Sequence, residues 1–272
     1  MKRPLSFRPA SELQNFIAAY GILEIPEWET EPYFSPPLAM SGFILNLANG
    51  KGAVTSRIGD RDFFTENAVV TGQVTAPVYG ELRGQVKSLM VFFKPIGMHR
   101  LFNNDLSELT NSSRTLAEFL GKKEANLLLK ALEAQPDNQR QTEILNDFFT
   151  KRITHREEDI KLEKVMDLIH QKQGDINITE ILEAFSYPRK TLERHFQKKV
   201  GLSPKVYTQI YRFKCLINFL ENNPGTTWAQ LANETGYFDQ SHMSRYVKEY
   251  LQVSPNSIVN LDMEFISYLL NR

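Results

Sequence analysis

Five polar side chains recur at helical spacing between residues 240 and 248 of the 272-residue chain. At about 100° per residue they share one side of a helix, and apolar side chains occupy the other side. The polar set is Gln240, Ser241, Ser244, Arg245 and Lys248, and the apolar set is Met243, Tyr246, Val247 and Tyr250. Amide, hydroxyl and guanidinium groups at the start of a helix can hydrogen-bond to base edges when that helix enters the major groove. The spacing therefore predicts a helix that reads duplex DNA.

The residues before this helix are those of a helix-turn-helix unit. A short helix over residues 228–235 contains the small Ala232, which lets a second helix cross closely. Gly236 suits the left-handed conformation in which helices commonly end. Asp239 is a favourable N-cap for a helix that runs to about Tyr250.

An internal repeat indicates a second copy of this unit upstream. Displaced by 51 residues, Met243, Arg245, Ser254 and Pro255 repeat Leu192, Arg194, Ser203 and Pro204. Before the turn the displacement is 50, and Trp228, Leu231 and Ala232 repeat Ile178, Ile181 and Leu182. One extra residue in the second turn explains both displacements.

The two copies differ in charge, although the whole chain has 32 basic and 32 acidic residues. Residues 186–215 contain eight basic residues and one acidic residue, whereas residues 216–272 contain three and six. Because phosphate attraction depends on Lys and Arg, we expect the first unit to anchor the DNA backbone, mainly through Lys190 and Lys198. We expect Gln240 and Arg245 of the second unit to select the base sequence.

The C-terminal part resembles the AraC/XylS family of transcription regulators over roughly residues 161–259. The second unit carries the resemblance through Ala232, Gly236, Tyr237, Asp239, Gln240, Ser241, His242, Arg245, Lys248 and Val253-Ser254-Pro255. The first unit carries it through Leu192, Arg194, Phe196, Gly201-Leu202-Ser203-Pro204, Tyr207 and Arg212. Three positions of the first unit depart from the family pattern: Ser186 replaces the turn glycine, Pro188 the usual N-cap, and Leu182 the small crossing residue. In the second unit, Gln252 replaces the glycine before Val-Ser-Pro.

The resemblance implies a transcription regulator that binds double-stranded DNA. A joining helix over about 205–220 would hold two recognition helices in successive major-groove segments, about 34 Å apart. DNA contacts are then expected at Arg189, Lys190, Glu193, Arg194, Gln197 and Lys198, and at Gln240, Ser241, Ser244, Arg245 and Lys248. It also implies an N-terminal domain that binds a small-molecule effector or a second subunit, and RNA polymerase as a further partner.

The N-terminal half has short apolar runs bounded by turn formers, as in residues 42–47, 68–70 and 85–93. These predict an antiparallel sheet or small barrel, followed by helices from about Gly97. The fold class is α+β, with a regulatory and dimerisation domain at 1–155 and a DNA-binding domain at 156–272. The aromatic strand residues form either a plain core or a ligand pocket: Phe43, Ile44, Phe63, Phe64, Phe92 and Phe93. Residues 91–102 also resemble a less-studied group of such N-terminal domains.

Several function classes are disfavoured. The single cysteine, Cys215, permits neither an internal disulfide nor a multi-cysteine zinc site, and only His99 and His155 precede the helical module, so we expect no metal or cofactor. Nucleophile-elbow and phosphate-loop motifs are absent, so we do not expect an enzyme. Without a long apolar run or a signal sequence, the chain is predicted to be cytoplasmic and to have no membrane partner.

The sequence permits two further hypotheses. The apolar helix stretches at 127–132 and 141–150 predict a homodimer. The departures in the first unit permit an alternative function, in which a non-catalytic interaction protein has kept the helical module and binds DNA only non-specifically.

We predict that a fragment from Glu158 to Arg272 folds alone and binds DNA, because it contains both units and the joining helix. Circular dichroism of the fragment should show a cooperative helical transition on heating. An unfolded fragment beside a folded full chain would show that the domain boundary is wrong.

Overall fold

The computed structural model describes residues 5–26, 29–47, 53–64, 68–153, 157–223 and 225–252. Its N-terminal part contains the strands β1 (Leu5–Phe7), β2 (Ile17–Ile25), β3 (Thr30–Ser35), β4 (Ser41–Asn46), β5 (Ala53–Ile58), β6 (Arg61–Phe64), β7 (Ala68–Thr71), β8 (Val78–Arg83), β9 (Val86–Phe93) and β10 (Ser113–Thr115). They form a six-stranded sheet in the order β1-β2-β9-β4-β7-β10 and a four-stranded sheet in the order β3-β8-β5-β6. These pairings are antiparallel, as predicted.

Strand β9 is buried on both faces, which explains its uninterrupted apolar run. Leu89 and Phe93 belong to the core beneath the N-terminal helices. Met90 and Phe92 belong to the core shared with the second sheet. Because successive side chains of a strand point to opposite faces, this one strand supplies both cores. A cavity of about 140 Å³ remains between the sheets, and Phe63 and Phe92 are among its lining residues.

Four helices cover the outer face of the larger sheet: α1 (Gly97–Phe102), α2 (Leu116–Leu120), α3 (Lys122–Glu133) and α4 (Asn138–Thr150). Phe149 of α4 packs edge-on against Phe93, with ring centroids 5.6 Å apart. Leu128 and Leu132 of α3 are also buried in this core, and Leu127 remains 62% exposed. The chain's own sheet therefore covers much of the apolar helix surface from which the sequence predicted a homodimer, and the homodimer stays a prediction.

The C-terminal part is helical, so the predicted α+β class is confirmed. It consists of α5 (Glu157–Gln171), α6 (Ile178–Phe185), α7 (Arg189–Val200), α8 (Pro204–Asn222), α9 (Trp228–Glu234) and α10 (Gln240–Leu251). One expectation is wrong in detail, because the chain does not become wholly helical after Gly97. The three-residue strand β10 pairs with β7, and it is too short to show a period of its own. No helix in the described part of the chain is both long and apolar enough to span a membrane.

The C-terminal end of α7 lies against the N-terminal domain. Thr110 donates a hydrogen bond from its hydroxyl to the carbonyl of Gly201, the C-cap of α7. A Cβ atom at Gly201 would lie 2.8 Å from the carbonyl oxygen of Leu106, and the residue has a φ of 91°. Glycine is therefore required there both for its backbone conformation and for the close approach. Arg100 of α1 forms a second link through an ion pair with Glu163 of α5.

A cavity of about 570 Å³ lies between the two domains, and His170 at the end of α5 lines it. The His170 ring stacks on Tyr211 with centroids 4.2 Å apart, and its Nε2 lies 2.8 Å from the Tyr207 hydroxyl. Burial, together with the positive charges of Lys214 and Lys94, lowers the pKa of His170 from 6.5 to about 4, against the opposing effect of Asp167.

This lowered pKa predicts acid sensitivity of the fold. As the pH falls, the unfolded chain protonates His170 at about 6.5, whereas the folded chain resists protonation until about 4. The contribution of His170 to the unfolding free energy is therefore fully present above pH 6.5 and is lost as the pH falls from 6.5 towards 4. Allowing for partial exposure, we expect His170 to account for about 1 kcal/mol of the unfolding free energy lost between pH 7 and 5. Urea unfolding of the wild type and His170→Gln at both pH values measures this, and equal losses in the two proteins would contradict it.

Candidate DNA-binding surface

Helix α10 presents the polar face that its sequence predicts. Asp239 caps it, and its carboxylate accepts a hydrogen bond of 2.7 Å from the backbone N–H of His242. The inward face is buried at Met243, Val247, Tyr250 and Leu251. Gln240, Ser241, Arg245 and Lys248 are exposed, and Ser244 is partly exposed. The four exposed groups and Ser244 thus form one polar surface that starts at the helix N-terminus.

Helix α7 presents a comparable surface with more charge. All six first-unit residues predicted to contact DNA are exposed: Arg189, Lys190, Glu193, Arg194, Gln197 and Lys198. Leu192, Phe196 and Val200 are buried on the opposite side. Glu193 lies 4.0 Å from Arg189, so its carboxylate partly offsets the charge of that guanidinium. The structure brings together the residues predicted for each unit, while their roles on DNA remain predictions.

The turns of the two units have the same backbone geometry despite their different sequences. Ser186 has a φ of 46° where Gly236 has a φ of 72°. The next residue closes the turn in both units, since Tyr187 donates its N–H to Leu182 at 3.0 Å and Tyr237 donates to Ala232 at 2.9 Å. The first unit therefore makes the usual turn with serine in the left-handed region, where serine is less favourable than glycine. Pro188 acts as the N-cap of α7 without a side-chain hydrogen bond.

Arg212, at the middle of α8, connects the two units. Its guanidinium forms an ion pair with Asp175, which lies between α5 and α6. The same terminal nitrogen donates a 2.6 Å hydrogen bond to the carbonyl of Gly236 in the turn of the second unit. The guanidinium carbon lies 5.0 Å from the centroid of the Tyr237 ring. The resemblance singled out Arg212, but no local sequence signal shows that it joins the connection between α5 and α6 to the turn of the second unit.

Helix α8 holds the units apart as the predicted joining helix does. It extends over 19 residues, about 28 Å at the rise of an α-helix. Ser203 caps it and Pro204 occupies its first turn. Its buried residues include Tyr207, Ile210, Phe213, Leu216 and Ile217, which belong to one core with residues of α7 and α10. The repeated Ser254-Pro255 lies outside the described residues.

The positive charge of the first unit is smaller at the surface than in the sequence. Lys199 is buried at 4% exposure. Lys214 lines the interdomain cavity, and burial lowers its pKa to about 8. Arg212 is engaged with Asp175. The exposed basic residues are therefore concentrated on α7, with Lys205 at the start of α8.

The histidines and the cysteine have structural surroundings. His195 Nδ1 lies 2.6 Å from the Tyr187 hydroxyl, and the ring of His242 packs near Tyr237 with centroids 5.7 Å apart. Both rings are therefore engaged in contacts within their own units. Burial raises the pKa of the Cys215 thiol to about 11, so this cysteine has little thiolate at neutral pH.

We predict that Arg212→Ala lowers the free energy of unfolding by about 2 kcal/mol, because a partly buried, charged hydrogen-bonding group is lost. Arg212→Lys should be nearly as destabilising, since the lysine side chain is one bond shorter than the path to the nitrogen that meets both partners, and it lacks the planar group near the Tyr237 ring. Denaturant unfolding of the full chain measures both, with Lys130→Ala at an exposed site of α3 as the control. A lysine variant with wild-type stability would show that the bridge is not needed.

Comparison with known proteins agrees with this geometry. Residues 181–260 match the model of a helix-turn-helix domain, and residues 5–115 match a domain of unknown function (DUF6597). An uncharacterized HTH-type transcriptional regulator of Haemophilus influenzae is 28% identical over 89 residues, which are 33% of this chain and 30% of the relative. The chain thus spans less than a third of that relative's length.

Solved structures with a distant similarity to the chain include ToxT from Vibrio cholerae and the AraC-like transcriptional activator CuxR. ToxT has a TM-score of 0.49 and 10% identity, covering 89% of this chain and 97% of ToxT. CuxR has a TM-score of 0.35 and 11% identity, covering 97% of this chain and 84% of CuxR. Together, the sequence motifs, the paired units and the domain match show that the C-terminal part of the chain contains a helix-turn-helix domain similar to those of the AraC/XylS family.

Proposed function

We propose that the chain is a sequence-specific regulator of transcription that binds double-stranded DNA through α7 and α10. The observation that carries this proposal is the pair of exposed polar helix faces joined by the buried helix α8. A reading helix needs a polar outer face and a fixed support, and each unit has both. A helical pair that only filled surface would not need two such faces at this spacing.

The two helices would divide the task. Lys190 and Lys198 of α7 are exposed cations suited to phosphate oxygens, which attract protein to any sequence. Gln240 and Arg245 of α10 offer an amide and a guanidinium, the groups that pair with adenine and guanine in the major groove. The backbone would thus be held mainly by the first unit and the sequence selected mainly by the second.

The N-terminal domain would regulate DNA binding through its contact with α7. Thr110 and Leu106 hold the end of that helix at Gly201, so a shift of the domain would move a DNA-binding element. A small molecule in the interdomain cavity would contact both domains, and its affinity would depend on their arrangement. An effector is recognised experimentally as a compound that raises the melting temperature of the full chain and changes its affinity for a selected duplex. RNA polymerase would be the partner if the chain activates transcription.

We predict opposite signatures for two substitutions, measured on a duplex selected from genomic fragments and on its scrambled counterpart. Lys198→Ala should weaken both duplexes similarly and lower the slope of log affinity against log salt by about one, because one phosphate contact is lost. Arg245→Ala should cost about 1–3 kcal/mol on the selected duplex and relax the base preference at one position. Fluorescence anisotropy across a salt series gives both quantities.

Lys130→Ala, which removes one exposed charge from α3, is the matched control and should leave both duplexes bound as by the wild type. Equal weakening of both duplexes by Arg245→Ala, or an altered base preference in Lys198→Ala, would contradict the division of roles. Retention of DNA only at low salt, without preference for the selected duplex, would instead support the alternative of an interaction protein with non-specific DNA binding.

A further inference from the structure

Phe238 is the most exposed large apolar side chain in the described part of the chain. Its exposure is 92%, whereas that of Tyr79, Leu127, Ile160 and Leu5 is between 41% and 62%. The neighbouring Tyr237 is 5% exposed and packs towards Arg212 and Tyr246. Adjacent aromatic residues therefore face opposite sides, one towards the core and the other towards solvent. An apolar ring that stays in water gains none of the free energy that burial of apolar surface provides, so Phe238 does not stabilise the fold by the hydrophobic effect.

The turn of the second unit does not need Phe238. In the first unit, Tyr187 donates its N–H back to Leu182 and is followed directly by the N-cap Pro188. In the second unit, Tyr237 makes the equivalent bond to Ala232, but Phe238 stands between it and the N-cap Asp239. Phe238 is thus the one extra residue by which the two repeats differ. The first unit closes the same turn without it.

Phe238 also lacks the local role that its position usually has. The residue before an N-cap often packs against the fourth residue of the helix, here Met243. Met243 is fully buried, while Phe238 is almost fully exposed, so this contact does not account for the ring. The inserted side chain therefore projects from the end of α10 at which Gln240 and Ser241 are exposed.

We infer that Phe238 enters the major groove beside α10 and packs against the 5-methyl group of a thymine. The inference rests on the proposed function, in which the N-terminal end of α10 faces the bases. Thymine is the base with an apolar group in the major groove, and phenylalanine is a side chain suited to contact it. The contact would remove both the ring and the methyl group from water. Phe238 would accordingly be a specificity-determining residue that makes no hydrogen bond.

The test replaces each thymine of the selected duplex, one at a time, by deoxyuridine, which differs only by the missing methyl group. For the wild type, one or two positions should lose about fourfold in affinity, the effect of exposing one methyl group. Phe238→Ala should bind the thymine and deoxyuridine duplexes equally at those positions. Phe238→Leu, which keeps an apolar side chain, should retain part of the preference. The salt slope should be the same for all three proteins, since no charge changes.

Leu127→Ala is the matched control, because it truncates an exposed apolar side chain on α3 and should keep every methyl preference. Melting temperatures of all variants should match the wild type, since neither residue is buried. If Phe238→Ala keeps the wild-type ratios at every position, or if the wild type has no methyl preference, the inference is overturned while the proposed function stands. If the wild type does not distinguish the selected duplex from its scrambled form, the proposed function fails and the inference fails with it. An equal loss of affinity of Phe238→Ala for the selected and the scrambled duplex would also overturn the inference, because a contact with one thymine methyl group depends on the base sequence.

Discussion

Two helices can read one DNA molecule together only if the distance between them is held constant. In this chain α8 meets that requirement, because its inward side chains share one core with α7 and α10. Arg212 extends the constraint to the loops, since it contacts Asp175 of the first unit and Gly236 of the second. The two polar surfaces are consequently carried by one packed body. Without that body, each unit would have to pay the entropy of binding separately.

In the N-terminal domain, the single strand β9 likewise serves two parts of the structure. One strand contributes to the core beneath the helices and to the core between the sheets, so a disturbance of either core reaches the other through the same backbone. The strand ends at Phe93, and α1 follows from Gly97 and carries Arg100 to its ion pair with Glu163. The path from the β-rich core to the DNA-binding domain is therefore short and consists of packed elements.

Much of the reading surface could be predicted from the sequence, because helical spacing separates polar from apolar residues without help from the rest of the chain. Asp239, Gly236 and the polar face of α10 follow from local rules of capping and periodicity. Contacts between distant residues do not follow such rules. The bridge of Arg212 and the approach of Leu106 to Gly201 join segments that are far apart in the chain.

A count of charged residues in the sequence does not show which of their side chains are buried in the fold. Lys199 and Lys214 contribute to the basic composition of the first unit, yet Lys199 of α7 is buried and Lys214 of α8 lines the interdomain cavity, so neither adds to the exposed face of α7. The apolar residues of α3 and α4, from which the sequence predicted a homodimer, show the same dependence on the fold, since many of them pack against the larger sheet of the same chain. In both cases the sequence identifies the residue type correctly, and only the tertiary structure shows where its side chain is used.

Under the proposed function, the joining helix limits the spacing of the two halves of a DNA site. Duplex DNA turns once in about 10–10.5 base pairs, and two readers on one rigid support must meet the same side of it. Inserting about five base pairs between the two halves of a site would rotate one half to the opposite side, beyond the reach of its helix. Promoters under such a regulator could vary in base sequence and in affinity. The helical phase between the two halves of the site would have to stay constant during evolution.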